Sequence, residues 1–361
     1  SRARDFADLA GSADAGGITG RSIIINGAMQ VAQRATSVAS LSSTATYSTC
    51  DRWEVQYGSS GTFTESQSTT APDGFYNSLK LDCTTADASP NYLVIMQRIE
   101  GQNLQSLKKG TSAAESTTLS FYVRSSKTGT YQVNLLDNDN TRMIGTTYTI
   151  SSANTWEFKS ITFAGDTTGT FDNDNNNSLQ VEWWLASGST YNSGAVPTAW
   201  EAMANGDRAA GLNVAIGAST SDDFHLAGVQ FELGEKDTPF EHRSFGDELE
   251  RCKRYFQQIG SGYGKASSTS AFDCSVTFNP PMRTSPTVSN NGTVIQITNI
   301  TSADHNQSSA SCADTDSGVT DGTYGGGRVR FSNFSGLTSG TTYAIDHTSS
   351  QGGAATFDAE L

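Results

Sequence analysis

The 361-residue chain carries a formal charge of −14, 35% apolar residues, 17% Asp, Glu, Lys or Arg, and 35 glycines. That length fits about two domains of roughly 150 residues, and the abundance of small polar residues favours many short strands and turns over helices. The acidic balance speaks against a nucleic-acid or anionic-membrane partner, since both call for a basic face.

Residues 1–21 read as a small-residue arm, with a short amphipathic turn in "DFADLA" (5–10) and a flexible hinge in "GSADAGGITG" (11–20). The arm lacks the apolar core of a signal peptide, and no window approaches the ~20 apolar residues of a membrane span. The chain therefore reads as soluble, not processed by secretion and not inserted in a membrane. Residues 22–245 run as one short strand after another, including "TLSFYVRS" (118–125), "SLQVEWWLA" (178–186) and "FHLAGVQFEL" (224–233). Leu119, Phe121 and Val123 alternate with Ser120, Tyr122 and Arg124, the period of a half-buried strand. Gly, Asn and Asp fill the intervening turns, and about nine strands without a helix between them predict an all-β, jelly-roll β-sandwich.

A helix signal follows over residues 246–260. Asp247 with Glu250 three positions on resembles a capping box, and Gly260 is a fitting stop. Leu249, Cys252, Phe256 and Ile259 form one apolar stripe, narrow enough to serve either packing within the chain or contact between chains. Residues 261–361 return to strands, as in "FDCSVTF" (272–278), and predict a second, smaller C-terminal β domain.

Reactive constellations are scarce. His225, His242, His305 and His347 lack metal-ligand spacing, and neither G-x-S-x-G nor H-E-x-x-H occurs. Cys50, Cys83, Cys252, Cys274 and Cys312 contain no C-x-x-C pair, so buried reduced thiols are expected. "DNDNNNS" from Asp172 begins like a calcium loop, but Asn177 stands where that loop needs Gly and Trp183 where it needs Glu. A looser structural calcium site stays open beside a plain Asn/Asp turn; no cofactor is predicted. Among 37 acidic residues, neighbours such as Asp222 and Asp223 do not define a glycosidase pair.

Several segments follow in a telling order: "IINGAMQVAQR" (24–34), "DRWEV" (51–55), "QRIEGQNL" (97–104), "FYVRSSKTGTY" (121–131), "ANTWEFKSITFAGDTTGTF" (153–171) and "GVQFELGEKDTPFEHRSFGDELERCKRYFQ" (228–257). Over roughly residues 18–258 the chain resembles tailed-bacteriophage tail-fibre and virion-appendage proteins with a jelly-roll domain like that of carbohydrate-binding modules. "FNPPMRTSPTV" (278–288) looks like the opening of the C-terminal β domain often attached in such proteins. The resemblance implies a virion structural component, not an enzyme, often a homotrimer. It would sit on the virion surface as a tail or capsid appendage, after synthesis in the host cytoplasm, and contact a host-surface glycan. The arm at 1–21 would hold other virion proteins, and residues 238–256 would close the jelly roll and lead into the next domain. A decorating or connecting protein without glycan binding is the alternative. A polysaccharide depolymerase is a further one, disfavoured by the absence of a repeat-built β-helix pattern.

For the glycan, strand alternation in "SLQVEWWLAS" sends Leu179, Val181, Trp183 and Leu185 to one face and Gln180, Glu182, Trp184 and Ala186 to the other. Trp183 reads as core. Trp184 with Gln180 and Glu182 offers a ring beside an amide and a carboxylate, which Tyr122 and Arg124 join if the two strands share a sheet. The competing reading covers Trp184 with the loop at 187–223, through Tyr191 or Trp200, or with a neighbouring subunit.

Overall fold

The computed structural model describes residues 20–58, 60–260, 262–290, 296–299, 303–306, 311–316, 325–332, 334–346 and 355–361. The expected arm, apart from its last two residues, and His347 lie outside them. Two compact units result, one running to Glu248 and the other spanning Leu249–Glu360.

The first unit is a jelly-roll β-sandwich of two antiparallel sheets. One sheet orders β1 (Ser37–Leu41), β4 (Thr62–Ser68), β5 (Ser78–Thr85), β13 (Asp223–Leu233), β7 (Thr117–Ser125) and β10 (Glu157–Phe163). The other orders β12 (Glu201–Ala202), β9 (Arg142–Ile150), β8 (Gly129–Asp137), β11 (Asn177–Ser187), β6 (Tyr92–Glu100), β3 (Glu54–Gly58) and β2 (Ala45–Thr46). The pairs β4–β5 and β8–β9 are hairpins within one sheet, whereas connections such as β6 to β7 and β10 to β11 cross from one sheet to the other. Alternation fills that core: Leu119, Phe121 and Val123 of β7 meet Leu179, Val181, Trp183 and Leu185 of β11. Trp183 packs its ring 5.6 Å from Trp53 and 5.7 Å from Phe121.

One end of the sandwich is held by an internal cation. The buried Lys109 ammonium lies 2.5 Å from Asp137 Oδ2 and 3.1 Å from Asp166 Oδ2, and donates to the carbonyls of Thr168 and Gly169 at 2.7 and 3.0 Å. Arg142 forks onto the same Asp166 carboxylate. Burial alone would raise the Asp166 pKa, but the Arg142 and Lys109 hydrogen bonds outweigh it and hold the group below the usual carboxylate range.

The short helix α1 (Ser189–Asn192) belongs to the segment after β11, and α2 (Phe245–Lys253) follows β13. Ser244 caps α2, its hydroxyl accepting from the Asp247 N–H at 3.2 Å and donating to Asp247 Oδ2 at 2.7 Å. The helix is shorter than the one expected over 246–260. After Lys253 the chain turns into β14 (Phe256–Ile259), which pairs with β23 (Ala355–Asp358). Ladder hydrogen bonds and apolar burial draw Phe256 and Ile259 into a sheet, so Leu249, Cys252, Phe256 and Ile259 do not make a single helical stripe. Cys252 and Phe256 are buried, and Leu249 and Ile259 are partly so.

In the second unit β23 also pairs β17 (Thr287–Asn290). A further sheet orders β19 (Ala303–Asn306), β18 (Gln296–Asn299), β22 (Thr342–Asp346), β15 (Gly262–Ala266), β16 (Ala271–Thr277), β21 (Gly326–Ser332) and β20 (Ser311–Asp316). Phe272, Cys274, Val276 and Phe278 alternate into its core with Phe331, Tyr343 and Phe357. Cys50, Cys83, Cys252 and Cys274 are buried and form no disulfide. No helix of the described residues is long and apolar enough to cross a membrane.

Candidate functional site

The five residues expected to hold a sugar fall on two different sheets. Gln180, Glu182 and Trp184 stand side by side on the outer face of β11, as alternation requires, but the segment after β11 folds over them. Trp184 is only 1% exposed, with the Tyr191 ring of α1 at 5.0 Å. The Arg208 guanidinium lies 5.2 Å from the Trp184 ring and 5.7 Å from that of Tyr191, and pairs with Glu182. Glu182 also accepts from Trp184 Nε1 at 2.9 Å and from Gln180 Nε2 at 2.5 Å. The chain supplies both the stacking partner and the hydrogen bonds that a ligand would otherwise bring. An open platform at Trp184, Glu182 and Gln180 is thereby corrected to a closed, self-satisfied cluster.

Tyr122 and Arg124 belong to β7 in the other sheet, and their face is open. Tyr122 lies opposite Phe158 of β10 with ring centroids 5.0 Å apart, and Phe75 stands 5.7 Å from Tyr122. Phe240 and His242 continue the run at 4.9 and 5.2 Å from Phe75. Phe158 is 46% exposed and the adjoining Tyr76 is 78% exposed. The rings rest on small residues of β13, where the register slips between Ala227 and Gln230. Gly228 has φ +57°, and a Cβ there would meet Phe75 at 2.6 Å and Tyr122 at 3.0 Å. Only glycine combines that backbone with that approach. Sequence reasoning named Tyr122 but missed Phe75, Phe158 and Phe240, although Phe158 was legible on the polar side of "TWEFKSITF".

Polar groups border the rings. Arg124 donates through Nε to the Asn154 carbonyl at 3.2 Å and through Nη1 to Asp223 Oδ2 at 3.4 Å. Buried His225 places Nδ1 3.1 Å from Ser78 Oγ, and its Nε2 lies 3.8 Å from Asp223 Oδ2. Burial pushes the His225 pKa below its usual value, with Asp223 working the other way. For Asp223 burial acts upward, but His225, Arg124 and Lys80 prevail and hold it low. The order Ser78–His225–Asp223 has the composition of a hydrolytic triad but not its geometry: the Ser78 hydroxyl is buried and donates to the Thr70 carbonyl at 2.7 Å. Among the described residues no cluster of His, Cys, Asp or Glu could hold a metal ion. In the stretch that begins like a calcium loop, Asp174 turns inward to accept the Asn176 N–H at 2.9 Å.

No protein-family model and no curated protein matches the chain. Among solved structures it is similar to the enzymatically active domain of tailspike protein 4 of bacteriophage CBA120, at 12% identity and a TM-score of 0.31. That match covers 59% of this chain and 21% of the other, so the chain spans about a fifth of the tailspike's length. It is also similar to a CBM4 structure, with 12% identity, a TM-score of 0.30 and 58% and 98% of the two chains covered. A third is the family 11 carbohydrate-binding module of Clostridium thermocellum in complex with a β-1,3-1,4-mixed-linked tetrasaccharide, with 11% identity, a TM-score of 0.28 and 53% and 91% covered. The fold assignment rests on the strand order itself.

Proposed function

We propose that the protein is a tail-fibre or appendage component of a bacteriophage virion, without enzymatic activity, and that it contacts a host-surface glycan through the outer face of its six-stranded sheet. The observation that carries the glycan reading is the run Phe158, Tyr122, Phe75, Phe240 and His242, in which Phe158 and His242 are exposed and the other three rings half-buried, bordered by Arg124 and Asp223. Rings clustered in water mark an interface. Sugar C–H faces pack on such rings while hydroxyls take the adjoining donors and acceptors. The virion role rests on the ordered sequence motifs, and with it come the homotrimer, the anchoring arm at 1–21 and the position on the virion surface. The exposure of Tyr76 and Phe158 equally suits burial against another virion protein, which is the second reading.

The test is a glycan array and a host-cell adsorption assay on the purified protein. Phe158→Ala and Tyr76→Ala remove exposed rings and should keep the melting temperature while losing adsorption. Trp184→Ala should lose stability instead, roughly 3 to 5 kcal/mol for a buried Trp. Wild-type glycan binding by the Phe158 and Tyr76 variants would remove this face from the reading. Unbound arrays combined with failed particle incorporation would select the connecting role, and release of reducing sugar from host polysaccharide would reveal a depolymerase.

A further inference from the structure

Next to the rings, one register row of the same face gathers basic side chains on an otherwise acidic protein. Lys80 of β5 lies opposite His225 of β13, and His225 opposite Arg124 of β7. Trp156, just before β10, packs edge-on against the His225 ring at 5.8 Å. Two carboxylates balance the row: Asp82, 2.9 Å from Lys80, and Asp223, opposite Asp82 across the strand pair. The groups facing His225 are therefore Ser78, Lys80 and Asp82 from β5, Asp223 from its own strand, Arg124 from β7 and Trp156.

Proton counting shows how loosely Asp223 is held. The Ser78 hydroxyl has one hydrogen and gives it to the Thr70 carbonyl, so at the 3.1 Å contact the donor is His225 Nδ1. In the neutral ring Nε2 then presents a lone pair to Asp223 Oδ2, 3.8 Å away. Asp223 Oδ1 is buried without a hydrogen-bond partner, and Oδ2 takes a long 3.4 Å contact from Arg124 beside the His225 ring. Arg124 spends Nε and Nη1 on Asn154 and Asp223, and Nη2 meets no acceptor among the described residues. A proton on Nε2 would make the ring a second donor and a better partner for Asp223 than Arg124 is.

We infer that this face selects an acidic sugar, whose carboxylate is bound by Arg124, and that protonated His225 draws Asp223 off Arg124 to make room for it. The inference rests on the glycan reading above and adds the sugar class and its control. Arginine suits the task because its planar fork meets a carboxylate with two parallel hydrogen bonds. Acid strengthens binding because the row gains a charge and Arg124 loses its internal counter-ion. Burial places the His225 titration below its ordinary value near 6.5.

The experiment measures affinity of the full chain for polygalacturonate and for neutral galactan at about pH 7.5 and about pH 5, at constant ionic strength. The wild type should bind polygalacturonate, and more tightly in acid. Arg124→Gln should lose roughly tenfold or more, the scale of a hydrogen-bonded charge, and His225→Gln should bind without the acid enhancement. Equal affinity at both pH values, or an Arg124→Gln variant that binds like wild type, overturns the inference. Binding to galactan alone, abolished by Phe158→Ala, overturns the acidic-sugar class and leaves the glycan reading intact; binding to neither polymer overturns both. A ligand-free readout tests the coupling itself. The Arg124 Nε–H resonance should titrate with the His225 ring and stop doing so in Asp223→Asn, whereas a resonance that stays constant through the His225 titration defeats the mechanism.

Discussion

Glu65 stands on the inner face of β4 at 0% exposure, where its carboxylate meets the Thr49 N–H at 3.2 Å, the Thr49 hydroxyl at 2.7 Å and the Tyr57 hydroxyl at 3.1 Å. Burial dominates those hydrogen bonds and raises the pKa from 4.5 to about 7. The folded state thus holds a proton that the unfolded chain has released. Its contribution to stability is fully present below pH 4.5 and is lost as pH rises through about 7. Across that window wild type should lose on the order of 3 kcal/mol relative to Glu65→Gln, read from urea melts of both proteins. A difference that is flat with pH would return Glu65 to an ordinary carboxylate. Lys109 makes the opposite kind of site, a buried charge fully surrounded. Lys109→Met would leave Asp137 and Asp166 facing each other and should destabilise by about 3 to 5 kcal/mol. Lys108→Met, at an exposed pair with Glu115, should change stability by less than about 1 kcal/mol; similar effects of the two in thermal melts would deny the internal cation its role.

At the level of elements, β11 and β13 show how far a strand can be read in isolation. Alternation along β11 separates Trp183 from Trp184 correctly, because the pleat is a local property. It does not reveal that α1 and Arg208, up to 24 residues after Trp184, fold back over the second ring. On β13 the bulge at Gly228 sets the height at which Phe75 and Tyr122 rest. Gly228→Ala forces a Cβ into both rings and a positive φ on a side-chain residue, so it should cost about 1 to 2 kcal/mol or more. It should also displace Phe75, seen as a change in the ring's exchange-broadened or shifted resonances. An alanine variant with wild-type melting and unmoved rings would mean the strand can flatten there. The helix α2 tells the same story at its end: Ser244 and the acidic first turn start it locally, whereas its stop at Lys253 depends on a strand about a hundred residues away.

For the whole molecule, charge sets the terms of assembly. Three copies at −14 each carry −42, so long-range electrostatics opposes a homotrimer and apolar contact must outweigh it. Association should therefore strengthen as salt screens the repulsion. Light scattering in moderate salt should report a trimer, and a monomer at micromolar concentration there would remove the trimer from the proposal. Deleting residues 1–21 should leave folding and assembly intact while abolishing incorporation into particles.

The all-β class, the crowding of strands before residue 235, the two faces of β7 and β11 and the start of a helix near Asp247 were all determined by the chain itself. Each depends on a period or cap that spans a few residues. Tertiary structure alone decided that β7 and β11 lie in different sheets, so that Tyr122 and Arg124 do not join Trp184. It also decided that the ring of Trp184 is closed by its own chain while Tyr122 is half-covered and Phe158 stays open. Strand partners and covering loops are chosen by contacts between residues far apart in sequence, where the free energy of burying a face is shared by segments that no local pattern connects.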